Sequence, residues 1–254
     1  MKLLQLSDLH LPRPGEQLYG QDPHIHLREA LADIAAHHAD AELLVLSGDL
    51  ADAGHPAAYR ALRGALAGLP MPCQLMLGNH DLRDTFAAVF PEALDADGFA
   101  QAHRATPEGH LIFLDTLEHE CTEGHLCPRR LAWLQSQLES ARGEPVFLFA
   151  HHPPFRIGMP MLDACGLAEA DALHALCQAH GNVRHLFAGH VHRPVAGSWR
   201  GIPFSAVKGT HHQAKQQFAD EFVTAMEPPG YAVILIGADN VAVHFHDFPT
   251  RAQP

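Results

Sequence analysis

The chain has 254 residues, 47% hydrophobic and 18% charged: enough apolar content to bury a core and too little charge for a disordered chain. Its 17 Lys and Arg against 29 Asp and Glu leave a formal net charge of −12, which argues against a duplex nucleic-acid binder, because that function needs a positive footprint. The acidity does not disfavour a small phosphorylated substrate, since a buried metal can supply local positive charge. Five cysteines at irregular spacing, with no CxxC pair, read as reduced thiols rather than a disulfide framework. No stretch reaches the length of a membrane span, and the opening MKLLQLSDLH turns polar too early for a signal peptide, so a cytoplasmic location is expected.

In chain order, the apolar run Leu3–Leu6 predicts a strand ending at Ser7-Asp8. Asp22-Pro23 reads as an N-cap followed by Pro at the first helical position, and Leu27, Leu31 and Ile34 carry helical spacing after it. Leu43–Leu46 is a second buried run, a helix follows over Ala57–Leu66, and Leu75–Leu77 is a third run. Leu111–Leu114 and Val146–Phe149 are further strands, with a helix opened by Pro128 between them through Leu131, Leu134 and Leu138. A helix over about Ala168–His180 precedes the strand Val183–Phe187. Beyond it the helical signals stop, and two hairpins follow, one about Gly201 and one about Gly237–Asn240.

Histidine is the compositional outlier, with 22 residues, more than Lys and Arg together. Five of the strand-like runs end in a burst of Asp, Asn or His: Asp8-Leu9-His10, Gly48-Asp49, Gly78-Asn79-His80-Asp81, His151-His152-Pro153 and Gly189-His190-Val191-His192. Open α/β sheets bind ligands at the carboxyl ends of their strands, so these ends can converge on one point. Asp8-x-His10 and His190-x-His192 place each pair on one side of an extended segment, and the glycines before Asp49, Asn79 and His190 allow sharp turns. Asp8, His10, Asp49, Asn79, His151, His190 and His192 offer oxygen and nitrogen donors and no thiolate, a set that suits manganese, iron, zinc or cobalt. One carboxylate can bridge two ions, and two-metal sites clamp the attacking and leaving oxygens of phosphoryl transfer.

The blocks DLH, GDL, GNHD, HHPP and GHVH, in that order from Asp8 to His192, resemble those of the calcineurin-like metallophosphoesterases. With Met161-Leu162-Asp163 and His212-Gln213, the chain is most similar to the cyclic-nucleotide and glycerophosphodiester phosphodiesterase branch. The resemblance implies an α/β fold, a four-layer α/β/β/α sandwich of two mixed sheets flanked by helices. One domain would span residues 1–254, with 155–167 as a loop over the site and 195–248 as closing strands. It further implies Asp8, His10, Asp49 and His192 at one ion and Asp49, Asn79, His151 and His190 at the other, with Asp49 bridging. His151 is preferred to His152 because it fits the family's His-x-Pro pattern with Pro153. His80 would hydrogen-bond a phosphoryl oxygen or protonate the leaving alkoxide, with Asp81 orienting it. Asn79, His80, His152, Asp163 and His212 would meet the substrate.

The implied cofactors are two divalent or mixed-valence ions. The implied activity is hydrolysis of small phosphodiesters, 3′,5′-cyclic nucleotides or glycerophosphodiesters, by hydroxide that the ions generate from water. A phosphomonoesterase or nucleotide pyrophosphatase on the same ions is the alternative, followed by a non-catalytic metal-binding scaffold. The expected partner is a small diester, with neither nucleic acid nor membrane, in a homodimer or higher homo-oligomer.

Other residues have plainer readings. His152 either orients a ligand or packs beside the site, and Asp163 either touches substrate or caps a helix. His24 and His26, in a first helical turn, read as exposed polar residues, with a place facing the substrate groove as the alternative, and His37, His38, His174, His180 and His185 read as surface residues. His119, Cys121, His125 and Cys127 match no usual structural zinc spacing and read as a surface loop.

Overall fold

The computed structural model describes residues 1–248. Strands β1 (Lys2–Leu6), β2 (Leu43–Ser47) and β3 (Cys73–Met76) alternate with helices α1 (Pro23–His37) and α2 (Pro56–Leu66). The short α3 (Arg83–Ala87) follows β3. Next come β4 (Ala102–Thr106), β5 (Gly109–Leu114), α4 (Pro128–Ser140) and β6 (Val146–Ala150). The segment after β6 contains α5 (Pro160–Asp163) and leads into α6 (Ala170–His180) and β7 (Val183–Ala188). The remainder is strand and loop: β8 (Val195–Trp199), β9 (Ile202–Ala206), β10 (Gln213–Ala214), β11 (Thr224–Ala225), β12 (Gly230–Ile236) and β13 (Val241–Asp247). Helices α1, α2 and α4 each begin at their Pro, and the Asp22 side chain accepts from the His24 N–H at 2.9 Å. The elements outside the sequence reading include β4, α3, α5, β10 and β11. Strand β4 is a half-polar edge strand, AHRAT, whose conformation comes from pairing with β5, and α3 has only five residues.

Two mixed sheets stack face to face. The first has the order β13-β12-β1-β2-β3, and the second β4-β5-β6-β7-β9-β8. Strands β1, β2 and β3 run parallel, as do β5, β6, β7 and β9, while β12, β13, β4 and β8 pair antiparallel at the margins. Alternate residues of each central strand face opposite layers. Leu4, Leu6, Leu44 and Leu46 pack on Leu27, Leu31 and Ile34 of α1 and on Tyr59 and Leu62 of α2. Leu148, Leu186 and Ala188 pack on Leu134 and Leu138 of α4 and Leu173 of α6. Leu3, Val45 and Met76 meet Phe113, Phe147, Phe149 and Phe187 between the sheets, where Phe113, Phe149 and Phe187 form a stacked row at 4.9 and 4.6 Å. Burial on both faces explains why these strands read as unbroken apolar runs. The result is the four-layer α/β/β/α sandwich.

Near one end of the inner layer the packing turns polar. Buried Gln5 of β1 donates to Ser47 Oγ of β2 and to the Ala188 carbonyl of β7, at 2.9 and 3.1 Å, and so ties the two sheets together. This is the edge where β1, β2, β3, β6 and β7 all terminate, and all five polar bursts begin here.

Candidate metal centre

The loops leaving these strands are unusually bent. Asp8, His10, Asp49, His190 and His192 all adopt left-handed backbone conformations, with φ of 55°, 46°, 50°, 68° and 48°. Such angles are uncommon outside glycine, and clusters of them mark sites where the surroundings enforce strain. The pairs Asp8/His10 and His190/His192 therefore converge through kinks, not through the extended geometry expected from their spacing. The glycines also divide by reason. Gly48 has φ 109° and makes a turn, and a Cβ there would also fall on the His151 ring. Gly78 and Gly189 have no such angle; they are small because space is short. A Cβ at Gly78 would fall on the Asp49 carboxylate and lie 2.5 Å from His151 Nε2, and one at Gly189 would fall on Ser7 Oγ.

The bends bring Asp8, His10, Asp49 and His192 into one buried cluster, with ligand atoms all within 4.8 Å of one another. His10 Nε2 lies 3.2 Å from His192 Nε2 and 3.5 Å from Asp49 Oδ2. His192 Nε2 is 3.3 Å from Asp8 Oδ1. Across Asp49, its Oδ1 is 3.5 Å from His151 Nε2 and accepts from the His80 N–H at 2.9 Å. Asp49 thus stands between two donor groups, since Asn79 Oδ1 and His151 Nε2 are buried without a hydrogen-bond partner and His190 lines the same cavity. Sealed polar atoms of this kind are costly unless a ligand engages them. Oxygen and imidazole donors gathered in this way are a set that could hold metal ions. A cavity of about 150 Å³ opens onto the cluster and is also walled by Tyr19, His80, Leu162, His212 and Phe222. A larger groove, about 810 Å³, lies along the edges β3 and β4 and holds none of these residues.

Charge is distributed unevenly. Burial works against the Asp8 and Asp49 carboxylates, but His192 beside the first and His151 beside the second hold both below the ordinary range. Burial likewise presses on His151, and there Asp49 and then Asp8 outweigh it and raise the imidazole to about 9. At His190 burial prevails and pushes it down to about 3. His10 is lowered by burial, and His192 is raised by Asp8 in spite of burial.

The remaining predicted residues separate into several kinds. His80 is on the rim, its Nδ1 donating to the Asp52 carbonyl at 2.8 Å. Asp81 is turned away: its carboxylate accepts from the N–H groups of Leu50, Ala51 and Gly78 and from Tyr59 Oη, at 2.9 to 3.0 Å. The carboxylate beside His80 belongs instead to Asp52, 3.8 Å from His80 Nδ1 and 3.2 Å from His10 Nδ1. Asp52 follows Asp49 by three residues, and that spacing was the available sequence signal. His212 lines the cavity, and its carbonyl accepts from His192 Nδ1 at 2.8 Å. Asp163 caps its own loop, accepting from the Ile157 and Gly158 N–H groups at 2.7 and 3.1 Å. His152 is fully buried and does not line the cavity, so the expected substrate contact is not made in this conformation.

Several histidines placed on the surface by the sequence reading are inside. His24 and His26 are buried, bonded to the Pro12 carbonyl and to His211 Nδ1. His185 lies in β7, stacked on Phe187. His119, Cys121, His125 and Cys127 are in a loop as expected, and none joins a ligand cluster among the described residues.

Comparison with known proteins agrees with this geometry. Residues 1–194 match the family model described as calcineurin-like phosphoesterase. The chain is 40% identical over 250 residues to a probable cyclic nucleotide phosphodiesterase of Rhodopseudomonas palustris, covering 96% of this chain and 91% of that one. It is 28% identical over 221 residues to a glycerophosphodiester phosphodiesterase of Enterobacter lignolyticus, covering 84% and 78%. In fold it is similar to a dimetal phosphatase from Danio rerio, with a TM-score of 0.73 at 15% identity over 97% of this chain and 96% of that one.

Proposed function

The chain belongs to the calcineurin-like phosphoesterase family and is a phosphoric diester hydrolase, and from that premise we propose that it cleaves small diesters, 3′,5′-cyclic nucleotides ahead of glycerophosphodiesters. The observation that carries the reading is the pair of donor groups meeting at Asp49, with Asn79 Oδ1 and His151 Nε2 sealed and unpartnered. Asp8, His10, Asp49 and His192 would hold one ion, and Asp49, Asn79, His151 and His190 the other. Two such ions supply Lewis acidity and an activated water. Their identity is manganese, iron, zinc or cobalt on this donor set.

The protein's own groups do the rest. His10, His151 and His192 each point Nδ1 at an oxygen, Asp52, Ser47 and His212 respectively, which fixes the tautomer and leaves Nε2 for the cluster. His80 donates Nδ1–H to the Asp52 carbonyl, so its Nε2 is the atom that carries a proton to the leaving alkoxide. The Asp52 carboxylate lies 3.8 Å from the same Nδ1, so the ring is held beside a negative charge. Asp81 positions rather than reacts, because it locks the loop after β2 to the loop after β3. Tyr19, Leu162 and Phe222 wall the space left for the alcohol portions. Residues 1–254 act as one domain in this reading, with 155–167 closing over the site, and the enzyme works in the cytoplasm.

The test is hydrolysis by manganese-reconstituted protein across bis(p-nitrophenyl) phosphate, p-nitrophenyl phosphate, 3′,5′- and 2′,3′-cyclic AMP and glycerophosphoethanolamine, beside a chelator-treated control. Diester turnover well above monoester turnover, lost on chelation, is the expected result. Monoester preference would replace the proposal with a phosphatase. Two bound ions with no turnover of any ester would favour a scaffold.

A further inference from the structure

Of the four imidazoles assigned to the ions, three have their second nitrogen occupied. His10 Nδ1 is 3.2 Å from Asp52, His151 Nδ1 2.8 Å from the Ser47 carbonyl, and His192 Nδ1 2.8 Å from the His212 carbonyl. Metal-bound histidines almost always donate this second N–H, which fixes ring orientation and tautomer. His190 is the exception. Its Nε2 is sealed from solvent with no partner, which leaves Nδ1 for the cavity that the residue lines.

Behind His190 stands His152. The two rings are 4.8 Å apart between centroids, and His152 Nε2 is also sealed and unpartnered. One nitrogen from each of His151, His152 and His190 lies within 4.8 Å of the others. The rest of His152 is held firmly. Its Nδ1 is 2.7 Å from Thr116 Oγ1, and the backbone of Gly124 lies against its ring, where a Cβ would come within 2.5 Å of His152 Cβ and Cγ. Two orphaned nitrogens therefore lie on neighbouring buried rings, one on a residue lacking its expected acceptor and the other on a ring already pinned. Burial without a partner costs each of them free energy, and a single shared proton relieves both.

We propose that His152 is the positioning residue for His190: its Nε2 accepts the Nε2 proton of His190, its own Nδ1 proton goes to Thr116 Oγ1, and this chain of three side chains fixes Nδ1 as the nitrogen His190 presents to the cavity. The inference rests on the reading of His190 as a ligand. It also gives His152 a reason to be neutral and buried, and Gly124 a reason to lack a side chain.

The experiment measures metal affinity, not turnover. Cobalt(II) and zinc(II) binding by the full chain is followed by competition with a chromophoric chelator and by the cobalt visible spectrum. His152→Ala is expected to weaken one of the two ions about ten- to a hundredfold and leave the other unchanged, because lost outer partners of metal ligands cost about that much. His152→Gln, which restores an acceptor toward His190 and a donor toward Thr116, is expected to recover most of the loss. Thr116→Val is expected to weaken the same ion severalfold, since it frees the ring without removing it. Unchanged affinity in His152→Ala would overturn the proposal. So would equal losses in the Ala and Gln variants, which would mean packing alone, or a cobalt spectrum with one nitrogen fewer in His152→Ala, which would make His152 a ligand. Failure of the wild-type chain to bind two ions would instead sink the proposed function, so the two failures are distinct.

Discussion

The two sheets bring different chemistry to one seam. The first contributes both carboxylates and the amide, Asp8, Asp49 and Asn79, together with His10 and His80, from the ends of β1, β2 and β3. The second contributes imidazole alone: His151, His152, His190 and His192, from the ends of β6 and β7. Burial opposes charge on all of these imidazoles, yet they settle on opposite sides of the ordinary value. His151 and His192, which touch Asp49 and Asp8, are raised, whereas His190 and His152 are lowered. Negative charge from one sheet therefore decides which imidazoles of the other are raised and which burial keeps low. The two halves are also anchored differently. The acidic half is gripped by Asp81, through three backbone N–H groups and Tyr59. The imidazole half is oriented ring by ring, through Ser47, His212 and Thr116.

Removing the shared charge breaks the comparison most severely. Asp49→Ala takes the carboxylate that both donor groups face. It is expected to lose both ions by elemental analysis and to lower bis(p-nitrophenyl) phosphate hydrolysis by about a thousandfold or more, the scale at which site electrostatics act. Retention of both ions at normal turnover would refute the bridging role. Next in size is the anchor of the acidic half. Asp81→Ala strands four buried donors, and at about 1 kcal/mol or more for each, stability should fall by about 3 kcal/mol in urea unfolding, partly offset by entering water. Asp81→Asn, which keeps two of the acceptor positions at best, should lie between the two. A loss of turnover without any loss of stability would show that Asp81 acts on chemistry after all. His80→Ala then tests the rim alone. Both ions should stay, while turnover falls about a hundredfold, most for alkyl esters with poor leaving groups. Equal losses for nitrophenyl and alkyl esters would argue against its acid role.

The legible part of this molecule was the part that strand ends dictate. The polar bursts after β1, β2, β3, β6 and β7 were visible because strands buried on both faces leave an abrupt boundary between apolar and polar residues. What was not legible depends on tertiary packing. No local pattern announces a left-handed Asp8 or His192, since the spacing alone suggested extended geometry. Gly78 and Gly189 looked like turn residues, and only the approach of Asp49 and Ser7 shows that they make room. His24 and His26 carried a signal that their polarity masked. They precede Leu27 and Ala30 by three and four residues, so both continue the buried stripe of α1. Asp81 was placed beside His80 because sequence neighbours are assumed to cooperate, whereas its partners lie across the loop after β2. Strand β4 had no alternation strong enough to betray it, and the pairing with β5 supplies what its residues do not.

The smallest effect comes from an imidazole of the second sheet that no carboxylate reaches. His185 sits in β7 behind the seam, stacked on Phe187, with Nε2 3.0 Å from Ser205 Oγ. Burial alone pushes it down to about 4, in contrast to His151, which Asp49 raises to about 9. The sign follows from proton counting. Above about pH 6.5 neither the folded nor the unfolded chain protonates this ring, and its contribution to stability is present in full. As the pH falls from about 6.5 toward 4, the unfolded chain takes up a proton that the folded chain refuses, so stability declines across that window. His185→Gln keeps a polar partner for Ser205 and cannot titrate. Urea unfolding at pH 7 and pH 4.5 should therefore show a decline smaller than the wild type's by about 2 kcal/mol. If the two proteins lose stability in parallel, burial alone does not hold His185 neutral. The contrast between imidazoles ruled by carboxylates and imidazoles ruled by burial would then have to be drawn within the seam itself.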